Sequence, residues 1–333
     1  MDRLQEAGAI ILGKVAMSEF ALEPYGTNHH LGTARNPWDM ATLRLPGGSS
    51  SGSGVAVASG LAAGAIGTDI GGSCRLPAAW NGVVGMRPTI GTVPMEGVVP
   101  LSTTLDVAGP LGSSVAHVGQ IFDVISDGDA YAASTTRALP TLLRLDDNEL
   151  DGVDDDTLDA YEACCRLLSS DTPALDVLKT ETQFRDTATK SGYISTTEGY
   201  YLYGHLLSAC PDDLDPGVIA RLKGAPDIAA IDDCDAVMSR PKAQVDHLGD
   251  WEDAGCLVTP AAAFTAPIDE GIAPSASPST FLRPVGYLGL CSITVPFGKD
   301  RNGLPIGMQI VGRPNREVEM FRVATLLEEL AFG

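Results

Sequence analysis

The stretch that most constrains this chain is Pro46–Gly54, PGGSSSGSG, because of the residues it runs into. On composition alone a Gly/Ser run is a flexible linker. This one passes straight into VAVASGLAAGAIGTDIGGS, a segment dense in Ala, Val and Gly that buries itself tightly against neighbouring backbone. The run therefore reads as a loop opening onto a buried small-residue helix. Such a loop holds hydroxyls and backbone N–H groups at the edge of a packed structure, a place suited to chemistry.

The order of elements around the loop points to an α/β protein. Apolar Ala9 to Leu12, ending in Gly13-Lys14, reads as a buried strand that delivers a lysine into a loop. A helix from about 52 to 62, a short strand AGAIG and the turn TDIGGS come next, and Ser73 opens a second helix over CRLPAAWN. Between about 130 and 240 the apolar runs shorten, acids accumulate and amphipathic helices appear. Leu158, Tyr161, Cys165 and Leu168 form one core-facing stripe there. From Trp251 the α/β texture returns, with GCLVTP, SITVPFG and LPIGMQIVG as buried strands and REVEMFRVATLLEEL as a closing amphipathic helix. The expected organisation is one domain over 1–333, a mixed β-sheet core surrounded by helices. Residues 1–129 form the core, 130–240 a variable helical cover and 241–333 the return to the sheet.

Composition narrows the class. With 333 residues, 44% of them hydrophobic, the chain can bury a sizeable core. Its 22 Lys+Arg face 43 Asp+Glu, a formal charge of -21, so long-range repulsion opposes direct contact with nucleic acid. Seven cysteines, two of them adjacent at Cys164-Cys165 and none in a Cys-x-x-Cys pair, signal neither a disulfide framework nor a zinc site. The start, MDRLQEAGAIILGK, lacks the pattern of a secretion signal, and no apolar stretch approaches the ~20 residues of a membrane span. These features fit a cytoplasmic protein without a membrane partner, and a homodimer is compatible with them.

Several sites compete for the chemistry. Gly48-Ser49-Ser50-Ser51-Gly52 formally matches G-x-S-x-G, with Ser50 as nucleophile. The hydrophobic strand that must precede such an elbow is missing, since MATLRLPG carries Arg44 and ends in Pro-Gly. The same glycines fail the P-loop pattern. Ser73 follows Ile70-Gly71-Gly72, a turn in which several backbone N–H groups can converge beside its hydroxyl, the parts of an oxyanion hole. Its bland role would be a helix N-cap. Lys14 would ordinarily be a solvated surface lysine, but the apolar strand before it favours partial burial, which disfavours a lysine's charge and lets it accept a proton. His29, His30, His117, His205 and His247 have no metal-ligand spacing, and Asp147–Leu158 resembles a calcium loop except that Leu158 stands where a bidentate Glu is required.

Three separated pieces then coincide with one pattern: GAIILGKVAMSEF around Lys14, RNPWDMATLRLPGGSSSGSGVAVASG around Ser49 and GTDIGGSCRLPAAWNGVVGMRPTIG around Ser73. Together they closely resemble the amidase signature family. The resemblance implies hydrolysis of a carboxylic amide by a Ser, cis-Ser, Lys triad on a small-molecule amide substrate, with no metal or organic cofactor. By motif position Ser73 is the nucleophile, Ser49 the bridging serine preceded by a cis peptide, and Lys14 the base. The N–H groups of Ile70, Gly71, Gly72 and Ser73 hold the oxyanion. Family members usually carry a further region before the lysine segment, so the resemblance also implies a chain lacking that N-terminal region, with an exposed sheet edge. The same resemblance admits two other functions. One is a truncated, catalytically silent fragment or scaffold subunit. The other is the glutamine-hydrolysing subunit of a tRNA-dependent amidotransferase, whose kind tends to carry Asp-Thr-Gly-Gly-Ser where this chain has Ile70.

Overall fold

The computed structural model describes residues 1–135, 138–180, 183–269 and 277–332. Its centre is one sheet of eight strands: β1 Gly64–Asp69, β2 Val84–Arg87, β3 Val107–Gly112, β4 Leu142–Arg144, β5 Leu175–Val177, β6 Cys256–Pro260, β7 Cys291–Lys299 and β8 Pro305–Gly312. Their order across the sheet is β1-β3-β2-β7-β8-β6-β4-β5. All pairings from β1 through β6 are antiparallel, and β6, β4 and β5 run parallel to one another, so the sheet is mixed as expected. Every residue of β2, β3, β6 and β8 is buried, which explains why β6 and β8 read as apolar runs rather than alternating ones.

Glycines show how the sheet is covered on both faces. A Cβ on Gly307 of β8 would meet Ala79 at 2.7 Å, and one on Gly312 would meet Met320 Cβ at 3.2 Å. The two positions are an odd number of residues apart and so face opposite ways. The short helix Arg75–Asn81 therefore lies on one face and the closing helix Glu317–Phe332 on the other. Residues Tyr161, Cys165 and Leu168 of the helix Asp155–Asp171 are buried and Leu158 packs half-buried against the same core, as the stripe foretold.

Two expectations need correction. Ala9 to Leu12 form no strand: they are exposed, with Ile10 at 85% and Leu12 at 73%, and Lys14 is exposed after them. A short apolar run becomes a strand only where a partner strand and a covering layer receive it, and nothing in the described residues pairs with this one. The middle segment is more than a helical cover, because its β4 and β5 extend the sheet beyond β6. Each is three residues long, too short to leave a periodic signal.

Candidate active site

The Ser/Gly run and the Ile70–Ser73 turn meet at the end of β1. The Ser50 N–H donates to the Ser73 carbonyl at 3.2 Å, and the run enters the helix Ser51–Ala58 directly. The peptide between Gly48 and Ser49 is cis. Gly48 sits against the Glu23–Thr27 turn, where a Cβ would come within 2.6 Å of the Gly26 nitrogen. Glu23 builds that turn by accepting from the N–H groups of Tyr25, Gly26 and Thr27 and from the Thr27 hydroxyl. Burial pushes the Glu23 carboxyl up from the usual range and these bonds oppose it.

The serines of the run are not equivalent. Ser50 Oγ donates to the Thr68 carbonyl and accepts from the Thr68 N–H, Ser53 Oγ donates to the Ile66 carbonyl at 3.0 Å, and Ser51 Oγ reaches the Ala16 carbonyl at 3.5 Å. These three hydroxyls tie the helix start to β1 and to the chain before it. Ser49 is fully buried, and its Oγ has no partner among the described residues. A buried hydroxyl without a bond costs about 1–3 kcal/mol. Ser50, the formal elbow position, is thus spent on structure, whereas the Ser49 hydroxyl is not.

Ser73 is nearly buried, at 8% exposure, on the wall of an open cleft that it shares with Ile70 and Gly71. Ser73 is not the helix cap: the helix begins at Arg75 with Cys74 at its cap position, so the Ser73 hydroxyl is not used there. Gly72 has φ +119°, and a Cβ there would strike Leu282 at 2.6 Å, so the turn needs glycine. The Gly72 N–H donates to Asp69 Oδ1 at 3.0 Å, and the Cys74 N–H to Asp69 Oδ2 at 3.2 Å. Of the four amides expected to hold an oxyanion, Gly72 is therefore already occupied. The N–H groups of Ile70, Gly71 and Ser73 have no partner among the described residues.

Asp69 is the residue that sequence reasoning missed. It is wholly buried, as are Arg75 and Arg87. Arg75 grips it through Nε at 2.9 Å and a second nitrogen at 2.7 Å, and Arg87 adds a contact at 3.4 Å and donates to the Asp69 carbonyl. Burial pushes the Asp69 carboxyl up, but Arg75 and then Arg87 outweigh it and hold it down at about 2. Arg75 continues to Gln309 at 2.6 Å, and Gln309 reaches Thr259 and Phe281. This network clamps the turn from beneath, so the direction of its free amides is fixed before any ligand arrives. Cys74 beside it offers no thiolate: burial, and then the charge of Asp69, push its thiol well up. The signal was present as an Asp two residues before Gly-Gly-Ser and an Arg two after it, but neither carries a local rule.

Lys14 is brought near this site by backbone only. The Gly52 N–H donates to the Ala16 carbonyl at 2.8 Å and the Ser18 N–H to the Ser49 carbonyl at 3.0 Å, which lays residues 16–18 along the run. The Lys14 side chain is exposed and makes no hydrogen bond or ion pair among the described residues. Also among those residues, no three His, Cys, Asp or Glu side chains converge as metal ligands, and no helix is long and apolar enough to cross a membrane.

Residues 1–152 match the family described as Amidase. The chain is 33% identical to 2-amino-5-chloromuconic acid deaminase of Comamonas testosteroni, over 98% of this chain and 73% of that protein. It is 31% identical to fatty acid amide hydrolase of Arabidopsis thaliana, over 99% of this chain and 59% of that one. A solved amidase structure superposes with a TM-score of 0.89 at 27% identity, covering 99% of this chain and 76% of its own. The chain belongs to the amidase signature family, enzymes that hydrolyse amide C–N bonds.

Proposed function

We propose that this chain hydrolyses a carboxylic amide through an acyl-enzyme on Ser73, with Ser49 relaying the proton and Lys14 as base. Ser73 Oγ attacks the amide carbon, its proton passes to Ser49 Oγ, and the Ser49 proton passes to the lysine amine. The free amides of Ile70, Gly71 and Ser73 receive the oxyanion; one such donor is typically worth about 3–4 kcal/mol. The C–N bond then breaks as the relayed proton reaches the departing nitrogen. Water, deprotonated through the same relay, attacks the Ser73 ester and releases the acid. Serine needs such an acceptor because it is a weak nucleophile on its own.

The observation that carries this reading is the buried, unpartnered Ser49 hydroxyl, one residue from the amide bonded to the Ser73 carbonyl. It has the position of a relay and lacks only the group beyond it. Lys14 supplies that group when residues 9–15 fold back over the run. The Gly52 N–H bond anchors the Ala16 carbonyl to the run, and two residues of chain keep the Lys14 Cα within roughly 7 Å of the Ala16 Cα. Seven cysteines without a disulfide support a reducing compartment, the cytoplasm, as the setting of this activity.

A neutral fluorophosphonate tests the reading. It should label Ser73, located by peptide mass spectrometry, and both Ser49→Ala and Lys14→Ala should slow labelling at least a hundredfold. Labelling of another serine, or unchanged labelling of Lys14→Ala, would count against the nucleophile or the base respectively.

A further inference from the structure

The cleft beside Ser73 has a wall that the proposed chemistry does not use. Arg221, from the helix Pro216–Gly224, and Arg283, at the start of the helix Arg283–Tyr287, line it together with Ile70, Gly71 and Ser73. Both are half-buried. Neither guanidinium has a hydrogen bond or an ion-pair partner among the described residues, and Arg221 Nε is fully buried without one. Glu23 is the only carboxylate on the described lining, and both of its oxygens already accept from the Tyr25–Thr27 turn.

Two cations sharing one half-buried cleft work against each other. Burial, followed by the charge of Arg221, brings the Arg283 guanidinium down to about 10. Burial also lowers Arg221, with Glu23 opposing. Yet the position of Arg283 is prepared. A Cβ on Gly71 would meet its Cγ at 3.0 Å, and one on Gly192 would meet a terminal nitrogen at 3.2 Å. Glycine at both places leaves the side chain a track from the oxyanion turn to the helix Thr187–Tyr203. In a protein of formal charge -21, carboxylates for pairing are plentiful, yet none among the described residues forms an ion pair with either guanidinium, and only the charge of Glu23, spent on its own turn, reaches Arg221. An anion entering the cleft would relieve the repulsion and satisfy both forks at once. Guanidinium groups match carboxylates in a two-bond geometry that a point charge cannot reproduce.

We infer that Arg221 and Arg283 bind a free carboxylate on the substrate, so that the amide cleaved at Ser73 belongs to a molecule that also carries an acid group. This rests on the reading of Ser73 as a hydrolase nucleophile and names its substrate class. The pair selects the acid and positions the amide; the bond-breaking groups remain those of the turn and the run.

The test measures how small amides protect Ser73 of the full chain from a neutral fluorophosphonate. Glutaramic acid and succinamic acid are each compared with their methyl esters, which keep the amide and remove the charge. At least one acid should protect ten or more times more tightly than its ester. In Arg221→Met and in Arg283→Met that ratio should fall at least tenfold, and Arg221→Lys should recover part of it. A ratio is read, so a partly unfolded variant does not mimic the result. Equal protection by acid and ester, no protection by either at 10 mM, or a ratio surviving the double Met variant would overturn the inference while labelled Ser73 leaves the hydrolase reading intact. If Ser73 refuses the probe, the hydrolase reading fails, and the acid-against-ester difference is then read by calorimetric titration with the same outcomes.

Discussion

Arg75 with Arg87, and Arg221 with Arg283, are two pairs of cations that both reach the Ile70–Ser73 turn, and the chain treats them in opposite ways. The first pair is wholly buried and engaged through all but Arg87 Nε: Asp69 lies between the two guanidiniums, and Gln309 and the Leu105 carbonyl take further donors. The second pair is half-buried and unengaged among the described residues. Removing a charge from water is costly in both places, and only the first pair recovers the cost from within the chain. A buried charge satisfied internally is architecture, here the clamp that aims the free amides. One left unsatisfied on the wall of a cleft awaits something from outside.

The largest expected effect comes from breaking the first pair. Asp69→Asn leaves two buried guanidiniums without their counter-charge, which should cost about 3–5 kcal/mol. Urea unfolding should show the loss, and Ser73 labelling should disappear with it. Loss of under 1 kcal/mol would put the two pairs on the same footing. The same pair sharpens the comparison at low pH. Asp69 sits at about 2 in the folded chain against an ordinary 3.8, so it contributes stability above pH 4 that is lost as the pH falls towards 2.

His247 offers a third case, a buried titratable group that is neither paired nor in the cleft. It packs between Phe184 and Trp251, and its Nε2 has no partner among the described residues. Burial lowers it from 6.5 to about 4. The unfolded chain therefore takes up a proton first, and stability present above pH 6.5 is lost as the pH falls to 4, by about 3 kcal/mol in all. Midpoints of urea unfolding against pH should show this slope, and His247→Leu should flatten it in that window. Gly72→Ala is expected to be smaller, about 1–3 kcal/mol, because it strains a backbone at φ +119° that faces Leu282. It should reduce Ser73 labelling more than it reduces the unfolding midpoint. The smallest effect belongs to the exposed start: Leu12→Ser should change stability by less than about 0.5 kcal/mol.

Much of this architecture is legible in the sequence, for reasons that also explain the failures. Cys256–Pro260, the first five residues of Cys291–Lys299 and Pro305–Gly312 are recognisable because strands covered on both faces are rich in apolar residues. Ser49 and Ser73 stand out only through the resemblance of their segments to the amidase signature, since local pattern alone points to Ser50 and to a helix cap. Ala9 to Leu12 mislead, since an apolar run carries no record of whether a neighbour covers it. Asp69, Arg87, Arg221 and Arg283 have no local pattern at all: Arg221 and Arg283 lie 62 positions apart and meet only because two helices of the later chain border one cleft. Nor does spacing reveal that the Gly72 amide is taken by Asp69, which depends on how a carboxylate turns back beneath its own loop.

The central claim is that a Ser73 ester forms and breaks in a site whose turn is fixed in advance. Rapid-quench mass spectrometry with a slowly deacylating amide, glutaric acid mono-anilide among the panel, tests it most directly. A transient mass increase equal to the acyl group is expected, confined to the peptide containing Ser73 and absent in Ser73→Ala. Turnover of the amide with no adduct in the quench, or an adduct that persists in Ser73→Ala, would contradict it.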